Sequence, residues 1–384
     1  MIVLLITIFL FIIYACLIIY YRQSWLQIPI SNGHPDSHWE AIGNAKTFIS
    51  VIIPARNEAE NIQGCLESVT SQSYPKHLFE IIVIDDFSTD NTAAIVSSFT
   101  GKNVSLVSLK GFTKEGELNS YKKKAIEIAM SKAKGELIVT TDADCIVPNT
   151  WLQEIAGYYE TYHPAFIAAP VVYYGEHNFL KICQSLDFMT LQGITGAAVY
   201  KKFHNMCNGA NLAYEKKVFF EVGGFTGIDN IASGDDMLLM HKIFERYPER
   251  VLFLKSSHAI VKTKPAETLK EFFNQRIRWA SKADKYTDKK ITAVLFLVYF
   301  FNLWIVVLAI LSCLFPSIFI WFIVLIISKT IIELFFLYPV ARFFNKEKLL
   351  GWFPVAQPFH ILYTIIAGWL GKFGSYKWKE RKVK

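Results

Sequence analysis

The 384-residue sequence predicts an α/β fold, a Rossmann-like domain with a mostly parallel sheet, carrying membrane helices at its N-terminal and C-terminal ends. Three observations carry this. An uncharged apolar run opens the chain, and further apolar blocks close it. Between about residues 45 and 285, short β-branched runs alternate with helix-spaced segments, which implies a parallel sheet. Two of those runs end in closely spaced aspartates, and ligands of such sheets bind beyond the carboxyl ends of the strands.

Hydrophobic residues make up 52% of the chain and charged ones 19%, too apolar for an ordinary soluble protein, so the excess must be localised. From Met1 to Tyr21 the only non-apolar residues are Thr7 and the tyrosines, with no charge before Arg22. That run is long enough to cross a ~30 Å hydrocarbon core. A cleaved signal peptide would want a basic start, an apolar stretch of only ~7 to 15 residues and a small-residue cleavage site. The sequence has none of these, so residues 1–21 are expected to be a membrane helix. Further apolar blocks occupy 291–313, 316–341 and, more weakly, 349–371, followed by a basic tail over 372–384. The last block holds Pro354, Gln357, Pro358, His360 and three glycines, so a transmembrane, re-entrant or interfacial helix all suit it.

Net charge is +7, but Arg342, Lys346 and Lys348 follow the third block and six more lysines and arginines fill the tail. This is a positive-inside pattern, not a nucleic-acid footprint. It predicts an integral protein of the cell (inner) membrane with the domain and the basic tail in the cytoplasm. Six cysteines without C-x-x-C spacing suggest neither a disulfide framework nor a zinc site. Lys329 and Glu333 stand four apart inside an apolar block and are expected to pair across one helical turn.

Within the domain, Phe48–Ala55 (FISVIIPA) suits a buried parallel strand closed by Pro54. Ile62, Cys65, Leu66 and Val69 follow at helical spacing. Phe79–Ile84 gives a second strand ending in Asp85-Asp86, and Asp90–Phe99 a helix that Ser88 or Asp90 can cap. A short strand over Val104–Leu109, a helix over Ser120–Lys134 and a strand over Glu136–Thr141 lead to Asp142-Ala143-Asp144.

The chemistry follows from these acids. Side chains alternate along an extended chain, so Asp142 and Asp144 would point the same way and offer oxygen donors to one hard cation, Mg²⁺ or Mn²⁺. Such a metal would neutralise charge on a departing nucleoside diphosphate. Asp85 and Asp86 could accept hydrogen bonds from a base or ribose, with Arg56 and Asn57 lining the same pocket. Asp235 and Asp236 precede an apolar helical run, where either capping or a general base explains them. Gln275, Arg276, Arg278 and Trp279 lie on a helix expected to begin near Ala266 or Glu267, where interfacial anchoring and phosphate contact are both open. Of Lys122, Lys123 and Lys124, one can reach a phosphate.

Four motifs in order, VIIPARNEAENI with IVIDDFSTDNT, TTDADC, SGDD and QRIRW, resemble the family-2 glycosyltransferases with a GT-A catalytic domain. The likeness is to the membrane-bound branch that includes cellulose, chitin and hyaluronan synthases and ceramide glucosyltransferase, and it covers about Val51 to Trp279. It implies inverting transfer of a sugar from a nucleotide-sugar donor, a UDP-sugar, to a lipid or glycan acceptor. It also implies nucleotide contacts from Pro54, Arg56, Asn57, Glu58, Asp85, Asp86, Lys123 and Asp142, with a metal on Asp142 and Asp144. Asp236 would be the base, with Asp235 its rival because many relatives carry Glu-Asp here. Asn208, Gly209, Asn211, Gln275, Arg276, Arg278 and Trp279 would contact the diphosphate and acceptor. A processive polysaccharide synthase shares these motifs but needs a channel, for which three C-terminal apolar segments are few. A non-catalytic scaffold or transporter subunit would have no need of the intact acidic pairs.

Overall fold

A computed structural model of the chain describes residues 1–31, 46–115, 117–231, 233–282, 288–373, 376–378 and 381–383. Strand β1 (Ile49–Ala55) lies between β2 (Phe79–Asp85) and β4 (Leu137–Thr140), parallel to both. Covered on both faces, it is apolar along most of its length, which is why it reads as a continuous β-branched run. The sheet continues through β3 (Val104–Ser108) on one side and β7 (Leu212–Glu215), β5 (Phe166–Ala168) and β8 (Val251–Phe253) on the other, in the order β3-β2-β1-β4-β7-β5-β8.

Strand β7 runs antiparallel to both its neighbours. The expected alternation extended only as far as β4 and did not anticipate it. A second, two-stranded sheet pairs β6 (Val171–Tyr173) with β9 (Val261–Thr263) in parallel.

Helices cover the sheet: α2 (Ile62–Thr70), α3 (Thr92–Ser97), α4 (Tyr121–Lys132), α5 (Trp151–Tyr162), α6 (Phe179–Tyr200), α7 (Lys216–Glu221) and α8 (Asp235–Arg246). Helix α3 is shorter than expected, because Asp90 stays outside it and accepts the Thr92 N–H at 3.0 Å. Helix α9 (Leu269–Ala280) starts two to three residues later than expected, fixed by a reciprocal cap between Thr268 and Glu271.

Among the described residues, four helical stretches are long and apolar enough to cross a membrane: Ile2–Gln27 (α1), Lys289–Leu314 (α10), Pro316–Phe343 (α11) and Glu347–Phe373, which contains α12 (Phe353–Phe373). Helix α1 runs past the expected end at Tyr21. It accommodates Arg22 by laying the guanidinium over the Phe335 ring, 3.7 Å from its centroid. The turn between α10 and α11 consists of Phe315, with Pro316 at the first helical position, where its missing N–H costs nothing.

Helix α1 packs on α11 and α6, which ties this bundle to the domain. Lys329 and Glu333 pair at 2.7 Å as their spacing predicted, and both also bond Gln357 of α12. The tail forms an antiparallel pair, Tyr376–Trp378 with Arg381–Val383, while Lys379 and Lys384 lie outside the described residues.

Candidate active site

A cavity of about 970 Å³ opens at the carboxyl ends of β1 and β4 and continues between the apolar helices. From the strand ends it is lined by Pro54, Arg56, Glu58, Asp86, Asp142 and Asp144. Parallel pairing of β1 with both β2 and β4 is what carries these loops to one crevice.

The end of β2 divides its two aspartates, Asp85 being its last residue and Asp86 the first beyond it. Asp86 faces the cavity, buried, while Asp85 turns into its own loop and accepts the Ser88 N–H at 3.2 Å. Arg56 is buried across from Asp86, donating to its backbone carbonyl at 2.9 Å and pairing with Glu115 at 3.1 Å. Asn57 sits at φ 51° and accepts the Thr89 N–H at 2.9 Å, so it shapes the loop and does not line the cavity. Of the residues expected to contact the nucleotide, Asp85 and Asn57 are thus placed in the turn beside the cavity and not on its wall, each with one side-chain oxygen on a neighbouring N–H.

Asp142 and Asp144 both line the cavity, but beyond the strand, in a turn. The alternation rule that suggested their convergence does not apply there; the turn brings them round instead. Lys122 of α4 reaches this point and bridges Asp142 at 2.8 Å and Asp235 at 3.2 Å. Burial alone would lower its ammonium, and the two carboxylates outweigh burial and raise it.

Lys123, expected among the nucleotide contacts, points away from the cavity. Its ammonium is buried and donates to the backbone carbonyls of Ile228 (2.9 Å) and Ser233 (3.2 Å), and to that of Ile231. Burial drops it to about 8. Lys123 thus holds the loop that delivers Asp235, and of these two neighbours it is Lys122 that lines the cavity.

Asp235 and Asp236 open α8 after Gly234, whose φ of 81° is a left-handed value that favours glycine. Burial raises the Asp235 carboxyl, and Lys122, Lys282 and Lys123 together outweigh it and hold it below the usual range. Asp236 accepts the Gly209 N–H at 3.0 Å and the Met237 N–H at 2.8 Å. A Cβ at Gly209 would stand 3.4 Å from Lys122 Nζ, 3.6 Å from Asp236 Oδ2 and 3.7 Å from Asp235 Oδ2, so these charges meet around that glycine.

Asn208 also lines the cavity, its side chain accepting the Ala210 N–H at 3.0 Å. Asn211 does not: fully buried, it accepts from Trp151 Nε1 at 2.9 Å and donates to the carbonyls of Pro170 and Ala259, both at 2.8 Å. Its expected acceptor role gives way to a structural one.

Helix α9 forms another wall with Gln275, Arg276, Arg278 and Trp279. Arg276 differs from its expected place over the diphosphate. Its side chain is 4% exposed, paired at 2.7 Å with Asp187 of α6 and laid 4.3 Å from the Trp279 ring centroid. Asp187 in turn accepts from Tyr363 of α12. Sequence reasoning missed Lys122 as the bridge and Asp187 altogether. A lone carboxylate inside the apolar stretch SLDFM was a signal for the second.

Past these groups the cavity is walled by Leu17 and Ile18 of α1, Leu295 and Phe296 of α10, and Phe359 and Ala367 of α12. It thus joins an acidic, polar end to an apolar one.

A mostly parallel sheet with carboxylates at the ends of its central strands is the arrangement of a GT-A domain, the nucleotide-sugar class of α/β fold. Residues 50–225, a little under half of the chain, match the profile described as Glycosyl transferase family 2. It is 38% identical over 106 residues to the glycosyltransferase AglE of Haloferax volcanii, 28% of this chain and 33% of that one. It is 27% identical over 256 residues to the probable glycosyltransferase YdaM of Bacillus subtilis, 65% of this chain and 58% of that one. The matches thus cover less than two thirds of either relative. Among solved structures, the mannosyltransferase PcManGT from Pyrobaculum calidifontis in complex with GDP-Man and Mn²⁺ shares the fold at a TM-score of 0.57 and 18% identity, over 96% of both chains.

Proposed function

We propose that the protein transfers a sugar, with inversion, from a nucleotide sugar to a hydroxyl of a lipid or other membrane-near acceptor, with the domain on the cytoplasmic side of the cell membrane. The observation that carries this reading is that one continuous cavity is acidic at the strand ends and apolar between α1, α10 and α12. A donor with a charged diphosphate suits the first end, and an acyl or prenyl chain the second.

Asp86, Pro54 and Glu58 form the nucleoside wall. Asp142 and Asp144 fit a divalent cation of the Mg²⁺ or Mn²⁺ type. Among the described residues no third carboxylate, His or Cys completes a cage around them, which leaves coordination positions for water and phosphate oxygens. Such a cation, when bound, neutralises charge on the leaving diphosphate. PcManGT, of the same fold, was solved with Mn²⁺.

Asp236 is the base of this reading. Asp235 is committed to Lys122, whereas Asp236 is oriented by two backbone N–H groups and makes no ion pair within 4.0 Å among the described residues. It takes the proton of the acceptor hydroxyl while that oxygen bonds the anomeric carbon and the bond to the diphosphate oxygen breaks. Arg278 and Trp279 close the donor side, and Arg276, fixed by Asp187, positions their helix.

The test is nucleotide release by detergent-purified protein from UDP-, GDP- and dTDP-sugars with Mg²⁺ or Mn²⁺. Release from one donor with transfer to a lipid supports the reading. A long water-soluble polymer rejects single transfer, and activity unchanged in Asp236→Asn rejects the base.

A further inference from the structure

We infer that Lys282 is a phosphate-binding residue of the cavity, acting beside Arg278. The inference rests on the proposed nucleotide-sugar chemistry but concerns a residue that none of the recognised motifs contains. Lys282 follows α9 by two residues, is 8% exposed, and lines the cavity together with Arg278. Its stem lies against Gly234, 3.5 Å from where a Cβ there would stand, which directs it to the end where Asp235 and Asp236 open α8.

The neighbouring charges are already matched. Lys122 serves Asp142 and Asp235, and Arg276 serves Asp187. Asp236 accepts two backbone N–H groups, and Lys282, which feels the charge of Asp236 and Asp235, makes no ion pair within 4.0 Å and no side-chain hydrogen bond among the described residues. A buried ammonium left this way is costly, and it is retained where an anion completes it. Burial lowers the ammonium, with Asp236 opposing and Arg278 adding to the fall, so an arriving anion both neutralises the pair and restores the charge of Lys282. A phosphate oxygen set is the anion that an arginine and a lysine at one wall suit. Two sources share this chemistry: the donor's diphosphate and a phosphate at the head of a lipid acceptor.

The experiment measures binding by calorimetry to the full-length wild type, Lys282→Met and Lys282→Arg in detergent. The donor arm uses UDP and GDP against uridine and guanosine, and the acceptor arm uses dodecyl phosphate against dodecanol. Lys282→Met is expected to weaken one phosphate ligand roughly 10-fold or more, the scale of a charge-assisted contact, while the phosphate-free partners bind unchanged and Lys282→Arg stays near wild type. The arm that responds names the source. Unchanged binding of both phosphate ligands overturns the inference, as does equal weakening of the phosphate-free ones. Lys282→Met removes a buried charge, so its melting temperature should match or exceed wild type, and a lower one also counts against the inference. If the wild type binds no nucleoside diphosphate, the proposed function fails whatever the acceptor arm shows; if it binds and Lys282→Met binds both phosphate ligands equally, only this inference falls.

Discussion

Lys122→Met removes the ammonium that stands between the strand-end acids and the α8 acids. At 2.8 Å from Asp142 and 3.2 Å from Asp235, an effective dielectric near 20 gives gross attractions of about 6 and about 5 kcal/mol. Most of this is offset by desolvation, so the measured range for breaking pairs is the better guide. Losing one partner of a buried pair costs ~3–5 kcal/mol, and an exposed pair ~0–1 kcal/mol. The Asp142 side chain is 38% exposed and that of Asp235 13%, which places this site between the two, at about 2 to 3 kcal/mol. In a domain of this size that lowers the melting temperature by roughly 5–10 °C.

The assay is thermal unfolding in detergent with and without Mn²⁺. Because Asp142 loses its competing ammonium, millimolar Mn²⁺ should stabilise Lys122→Met more than wild type. A variant that melts within about 1 °C of wild type, with no added response to Mn²⁺, would refute the bridging role.

Asn211→Ala should cost about 2–4 kcal/mol by orphaning Trp151 Nε1 and two buried carbonyls, yet leave the Kd for nucleoside diphosphate unchanged, and a weakened Kd in a normally folded variant would return Asn211 to the binding site. Lys329→Met should lose about 3–5 kcal/mol, read as a lower melting temperature, by leaving Glu333 without its cation, and Lys329→Met with Glu333→Gln should recover most of it; no recovery would mean the pair is not the cause. Lys123 titrates near 8 folded against 10.5 as a free lysine, so between those values the unfolded chain holds the extra proton and stability from this group rises with pH. The wild-type melting temperature minus that of Lys123→Met should accordingly increase from pH 8 to 10, and a flat or falling difference would show that Lys123 is not buried as a cation.

What was legible in the sequence was whatever chain-local rules govern. Strand ends mark a crevice, so Asp86, Asp142 and Asp144 could be placed at one. The spacing of Lys329 and Glu333 gave their pairing, though not Gln357, which arrives from another helix. Adjacent residues at a helix start point about 100° apart, and only tertiary packing decides which faces a cavity. Hence the sequence does not separate Lys122, which lines the cavity, from Lys123, which holds the loop. Asn208 and Asn211 pose the same problem three residues apart. Strand β7, four residues long and antiparallel, carries no pattern that separates it from a loop, since its partners come from remote segments.

The most direct measurement follows radiolabelled sugar from its nucleotide donor into the lipid phase, using protein in lipid nanodiscs with Mg²⁺ or Mn²⁺. The account predicts label in the organic extract with wild type and a loss of roughly 10²-fold or more in Asp236→Asn, with donor binding retained. Label recovered only as free sugar or water-soluble polymer, or equal transfer by Asp236→Asn, would contradict it.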